Sequence, residues 1–93
     1  MPTLHIEHQV VDFDIWHSAF DRFADVRTQL GVRGHRVQRP VDDPRYVVID
    51  LDFDTREAAE AFRRFLVSTV WVPGVSPALV GTPETMVLEA AGV

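Results

Sequence analysis

Four histidines, two tryptophans and an alternating run of aspartates are the residues of this 93-residue chain whose types can do chemistry. His8 shares one side of an alternating segment with Leu4 and Ile6. A histidine among apolar neighbours titrates near neutrality and can serve as a general base. The plainer reading is a strand-end histidine hydrogen-bonded to backbone. His35 and Asp50 are a second candidate pair, the orienting half of a catalytic site in which a carboxylate holds the imidazole tautomer. No serine or cysteine nucleophile has a clear place beside them, and a structural charge pair is the alternative. His5, Glu7, Asp50 and His35 are the only group able to ligate a metal through imidazole and carboxylate. No recognised ligand spacing supports them, so no metal is expected. Trp16 and Phe20 fall on one helical stripe and Trp71 closes another, so the three can wall an apolar cleft for a flat ligand or simply pack a core. Arg36 is expected on the helix-covered side near Ile49, where it binds a carboxylate or enolate or runs out to solvent.

Composition narrows the chemistry. There is no cysteine, which removes disulfides, thiolate metal sites and cysteine nucleophiles. Lysine is also absent, which removes Schiff-base chemistry and a P-loop, and asparagine is absent. A net charge of −5 and a pI near 5.1, with the arginines scattered, argue against a nucleic-acid partner. No apolar run approaches the roughly 18 residues of a membrane helix, and the N-terminus does not read as a signal peptide, so a cytoplasmic protein is expected. With 46% hydrophobic residues the chain reads as one globular domain, residues 1–93.

The elements that must carry these residues follow from periodicity. Thr3–Val11 alternates as a half-buried strand, and Asp12 caps a helix whose stripe is Phe13, Trp16, Phe20, Phe23 and Leu30, with Ala19 and Arg27 near the same side. Gly31 closes that helix. Val32–Arg39 and Tyr46–Phe53 form a hairpin around the turn Pro40–Arg45. Asp54 is expected to cap a second helix with Glu57 completing a capping box, and the stripe Ala58, Ala59, Phe62, Phe65, Leu66, Thr69 and Val70 follows. Val72–Pro77 stops the helix, a short helical turn with Pro77 at its first position follows, and Thr85–Ala90 is the last strand. The order β-α-β-β-α-β predicts an α+β, ferredoxin-like sandwich with an antiparallel sheet ordered 4-1-3-2. A weak internal echo agrees with two similar halves: Asp-Phe-Asp opens each helix, and FDRF is matched by FRRF.

Strand alternation then turns Val47, Ile49, Leu51 and Phe53 toward the helices and Asp50 and Asp52 to the open face. With the turn centred on Asp42 and Asp43, Val37 lies opposite Val48, His35 opposite Asp50 and Arg33 opposite Asp52. The expected result is an open face of charge pairs.

The stretches VDFDIWHSAFD, DDPRYVVIDLDFDTREAAEAF and VLEA resemble the dimeric α+β-barrel superfamily of antibiotic-biosynthesis monooxygenases and polyketide cyclases, including its short actinobacterial members. The resemblance implies a homodimer joined open face to open face and a ligand cleft between sheet and helices in each subunit. It implies oxygenation, cyclisation or isomerisation of small ligands, often without a bound cofactor, and none is expected here. Quinone-forming oxygenases of that superfamily resemble one another in an asparagine–tryptophan–arginine set, and this chain has no asparagine. Two functions stand side by side. One is a cofactor-independent enzyme acting on a small apolar or aromatic ligand, with His8 or His35 as base. The other is a non-catalytic ligand-binding or assembly module, its cleft filled by phenylalanines.

Overall fold

The computed structural model describes residues 1–72, 74–76 and 78–92. Strands β1 (Thr3–Val10), β2 (Val32–Gln38), β3 (Tyr46–Phe53) and β4 (Leu79–Leu88) form one antiparallel sheet in the order β2-β3-β1-β4, the order expected. Helices α1 (Phe13–Arg22), α2 (Ala24–Gln29) and α3 (Arg56–Phe65) accompany it, and a π-helical turn, Leu66–Val70, extends α3. The aspartate parity holds: on β3 the buried residues are Val47, Ile49, Leu51 and Phe53, and Asp50 and Asp52 face away from them. Phe53, Leu4, Leu51 and Val47 are the most completely buried large side chains. Each such burial stabilises the fold by roughly 1.5–3 kcal/mol. No helix among the described residues is long and apolar enough to cross a membrane.

The two ends of the helical layer differ. In α3, Ala59 and Phe62 are buried, with Leu66 and Val70 continuing the stripe in the π turn. In α1 no residue is fully buried, and Phe13, Trp16 and Phe20 lie only partly against the core. This aromatic row stands off the sheet and leaves space beneath it.

Four local expectations need correction. The helix expected through Leu30 breaks at Phe23 (φ −93°, ψ 9°), where the Phe23 N–H bonds the Phe20 carbonyl at 3.2 Å, and α2 resumes beyond. Thr55, not Asp54, caps α3, its hydroxyl accepting the Ala58 N–H at 3.1 Å. Asp54 is turned aside to the Arg33 guanidinium at 2.9 Å. The β2–β3 register starts as expected, with Val32 opposite Phe53, but Arg33 is then bulged, so Gly34 faces Asp52, His35 faces Leu51 and Arg36 faces Asp50. One extra residue reverses the parity of all that follows. Finally, β4 starts at Leu79 and absorbs Gly81 (φ 72°) and Pro83 in a bulge between its pairings with Glu7 and Gln9. Residues that spell a turn serve here as an irregularity within a strand. Pro77, expected to begin a helical turn, lies outside the described residues.

Gly31, expected to close the first helix, instead follows the Leu30 cap of α2, with φ 98°, a conformation other residues adopt only at a cost.

Candidate functional site

Beneath the aromatic row lies a cleft floored by Ile6, Ile49 and Leu51 of the sheet and roofed by Trp16, Phe20 and Phe65. Its volume is about 90 Å³, or about 750 Å³ of protein-free space when the open mouth is included. Among the described residues, the polar side chains on the wall are His8, Arg27 and Ser76, besides the two indoles.

The π turn supplies the far wall. Its last bond runs from the Trp71 N–H back five residues to the Leu66 carbonyl at 2.7 Å, wider than an α-turn, so Leu66, Val70 and Trp71 all reach the cleft. Ser76 fastens the following loop by donating its hydroxyl to the Val70 carbonyl at 2.6 Å.

His8 is 5% exposed and makes the backbone hydrogen bond of the plainer reading. Its Nδ1 lies 2.8 Å from the Gln9 carbonyl. A carbonyl can only accept, so Nδ1 carries the proton and Nε2 keeps its lone pair. Among the described residues Nε2 has no hydrogen-bond partner and no fully buried side-chain nitrogen or oxygen lacks one, so Nε2 is not fully enclosed, and His8 lines the cleft. Burial lowers the pKa from its ordinary 6.5, opposed by the Gln9 bond, and so favours the neutral ring. Trp16 stands at its edge, ring centres 6.3 Å apart, and stacks on Phe20 at 5.0 Å.

The structure separates the other expected site residues. His35 does not meet Asp50. The bulge turns it to the helix side, where it is exposed and meets the Phe20 ring edge-on at 5.4 Å. Asp50 takes His5 instead, Oδ1 to Nδ1 at 2.7 Å, with Arg36 Nη2 3.5 Å from its other oxygen. Arg36 is therefore on the open face and not under the helices. His5 Nε2 lies 2.9 Å from Glu7, which also accepts the Tyr46 hydroxyl at 2.8 Å. Both ring nitrogens of His5 are thus taken by carboxylates. The hydrogen bond to Glu7, then that to Asp50, raise its pKa against the opposing effect of burial. Thr3 donates to Asp52 at 2.9 Å. Sequence periodicity thus brought His8, Trp16 and Phe20 to one cleft, which Trp71 joins through the π turn, and it misplaced His35 and Arg36 while setting Asp50 on the right face with the wrong partner.

Arg27 is the cleft residue passed over. It is 8% exposed, bonds the Phe20 carbonyl through Nη1 and lies over the Phe20 ring at 3.6 Å. Its signal was its place on the apolar stripe, two turns past Phe20. Ser76 gave no such signal, because its role depends on how the loop folds back.

Solved structures share this architecture over nearly the full chain. SnoaB, a cofactor-independent oxygenase from Streptomyces nogalater, superposes with a TM-score of 0.73 at 23% identity, covering 99% of this chain and 94% of that one. An antibiotic biosynthesis monooxygenase homologue from Nitrosomonas europaea gives 0.70 at 15% identity, covering 98% and 91%. A dimeric ferredoxin-like protein from an uncultured marine organism gives 0.62 at 6% identity, covering 100% and 97%. The class is therefore the ferredoxin-like α+β fold in the form found in antibiotic biosynthesis monooxygenase structures. No family model and no curated protein sequence matches the chain.

Proposed function

We propose that the protein binds a small, flat, largely apolar ligand in the cleft and that His8 removes a proton from it without a bound cofactor. The observation behind this reading is the unprotonated Nε2 of a buried histidine that lines an aromatic-walled space. The ligand's proton passes to Nε2 and the electron pair stays on the ligand as an enolate or phenolate. The Nδ1–H bond to the Gln9 carbonyl persists throughout and holds the imidazolium that forms. Returning the proton to another atom is isomerisation, and attack of the carbanion on a carbonyl of the same molecule is cyclisation. Reaction of the anion with dioxygen, as co-reactant, forms a C–O bond and, after protonation, a hydroperoxide; its O–O bond then breaks with loss of water to leave a carbonyl at that carbon, which is oxygenation. The oxygenase activity named for SnoaB supports the last of these. With no asparagine in the chain, His8 takes the role of the polar group in the cleft. We further propose that two copies meet through their open sheet faces.

An enolisable two-ring ketone, 2-tetralone, tests the base. In D2O the wild-type protein should accelerate deuterium exchange at its acidic methylene, followed by NMR. His8→Gln should lose about 10²-fold or more of that acceleration while still binding, as reported by the fluorescence of Trp16 and Trp71. Exchange at an unchanged rate in His8→Gln overturns the assignment. Binding without exchange by the wild type leaves a ligand-binding module.

A further inference from the structure

Arg27 lies between two spaces. One is the apolar cleft. The other is an open hollow of about 180 Å³ lined by Ala24, Thr28, Val32 and Gly34 together with Arg27, Arg33 and His35, which are its titratable residues, and among the described residues no acidic side chain lines it. Arg33 is engaged by Asp54 at 2.9 Å. Arg27 and His35 have no carboxylate within 4.0 Å among the described residues, and both stand against Phe20. Asp21 is the acid whose charge Arg27 senses, from beyond that distance.

A guanidinium has five N–H donors, and the Phe20 carbonyl occupies one. That single bond suffices to close the end of α1. It does not account for a planar cation buried where a neutral donor could cap the same carbonyl. An uncompensated buried charge is costly, and such charges are normally paired. Here the missing counter-charge faces a space built to hold aromatic rings, and the planar fork of arginine matches a carboxylate.

We infer that the ligand of this cleft is an aromatic acid, its rings between Trp16 and the sheet and its anionic group on Arg27 toward the basic hollow. This rests on the reading of the cleft as a ligand site. His8 and Arg27 then act on different parts of one molecule: the cation holds the acid group, and the base faces the ring system at the Trp16 end. The row His8, Trp16, Phe20, Arg27, each in contact with the next, sets that order.

Two compounds with the same rings separate charge from shape. By calorimetry at neutral pH, the wild-type protein should bind 2-naphthoate at least about tenfold more tightly than uncharged 2-naphthamide, the scale of a charge-assisted bidentate contact. Arg27→Gln should abolish the preference. Arg27→Lys, which keeps the charge, should retain part of it. Equal binding of the two compounds by the wild-type protein overturns the inference whatever any variant does, and leaves the cleft reading standing. Failure of both to bind removes the cleft reading and this inference with it.

Discussion

His5 and His8 sit on the same strand, face opposite sides of the sheet and titrate in opposite directions. His5 lies between two carboxylates, so its folded pKa is above 6.5, whereas burial puts that of His8 below 6.5. The stabilisation from His5 is complete below pH 6.5 and is lost as the pH rises through its raised value. That from His8 is complete above pH 6.5 and is lost as the pH falls toward its lowered value. Glu7, held below its usual 4.5 first by His5 and then by the Tyr46 hydroxyl, contributes only further into acid. Urea unfolding between about pH 5 and 9 should therefore show two limbs that respond to different single substitutions. His5→Gln should flatten the alkaline limb and His8→Gln the acid limb. Both variants retaining the wild-type profile would show that neither environment survives in solution. The same depression of the His8 pKa keeps Nε2 available as a base down to mildly acidic pH. Proton abstraction should accordingly fall off below pH 6.5 and not above it.

At the scale of elements, single residues decided where local pattern and structure part. Asp54 reads as the helix cap, and the sequence offers no way to know that Arg33, across the hairpin, claims it. The consequence is measurable. Thr55→Ala should lower stability by about 1 kcal/mol through loss of the cap. Asp54→Ala, which breaks an exposed ion pair, should cost less than about 0.5 kcal/mol. The reverse order, by chemical denaturation, would restore Asp54 as the cap. Strand identity, sheet order and the face of every β3 residue were legible, because a period of two over Tyr46–Phe53 leaves one solution once Val47, Ile49, Leu51 and Phe53 must be covered. The β2 side chains were not. Val32–Gln38 has no strong alternation, and a bulge at Arg33 carries no sequence mark, so the parity of His35 and Arg36 was lost together. The break at Phe23 was hidden for a similar reason, since the aromatic spacing runs unbroken across it. The cleft was half legible: its aromatic walls follow helical period, whereas Trp71 and Ser76 depend on a π turn that the pattern does not encode.

The whole molecule has one covered face and one that is not. On the open face the polar groups are largely satisfied within the chain: His5, Glu7, Asp50, Tyr46 and Arg36 form one network and Thr3 holds Asp52. Beside them β4 brings Met86 opposite His5 and Leu88 opposite Thr3, exposed at 55% and 43%. A largely satisfied polar patch flanked by exposed apolar side chains suits contact with another surface, with Glu84, opposite Glu7 and outside every salt bridge among the described residues, as the charge such contact must desolvate. Asp50→Lys with Asp52→Lys should separate the proposed dimer. The exchange removes the partner of His5 and Arg36 and sets like charges in the middle of a face that must meet its own copy. Because both carboxylates project away from the core, circular dichroism should show the sheet and helices retained. Sedimentation at micromolar concentration should give a dimer for the wild type and a monomer for the double variant. Sedimentation of the double variant like the wild type would mean that the copies do not join through this face, and the exposed edge of β2 would then be the place to look for their contact.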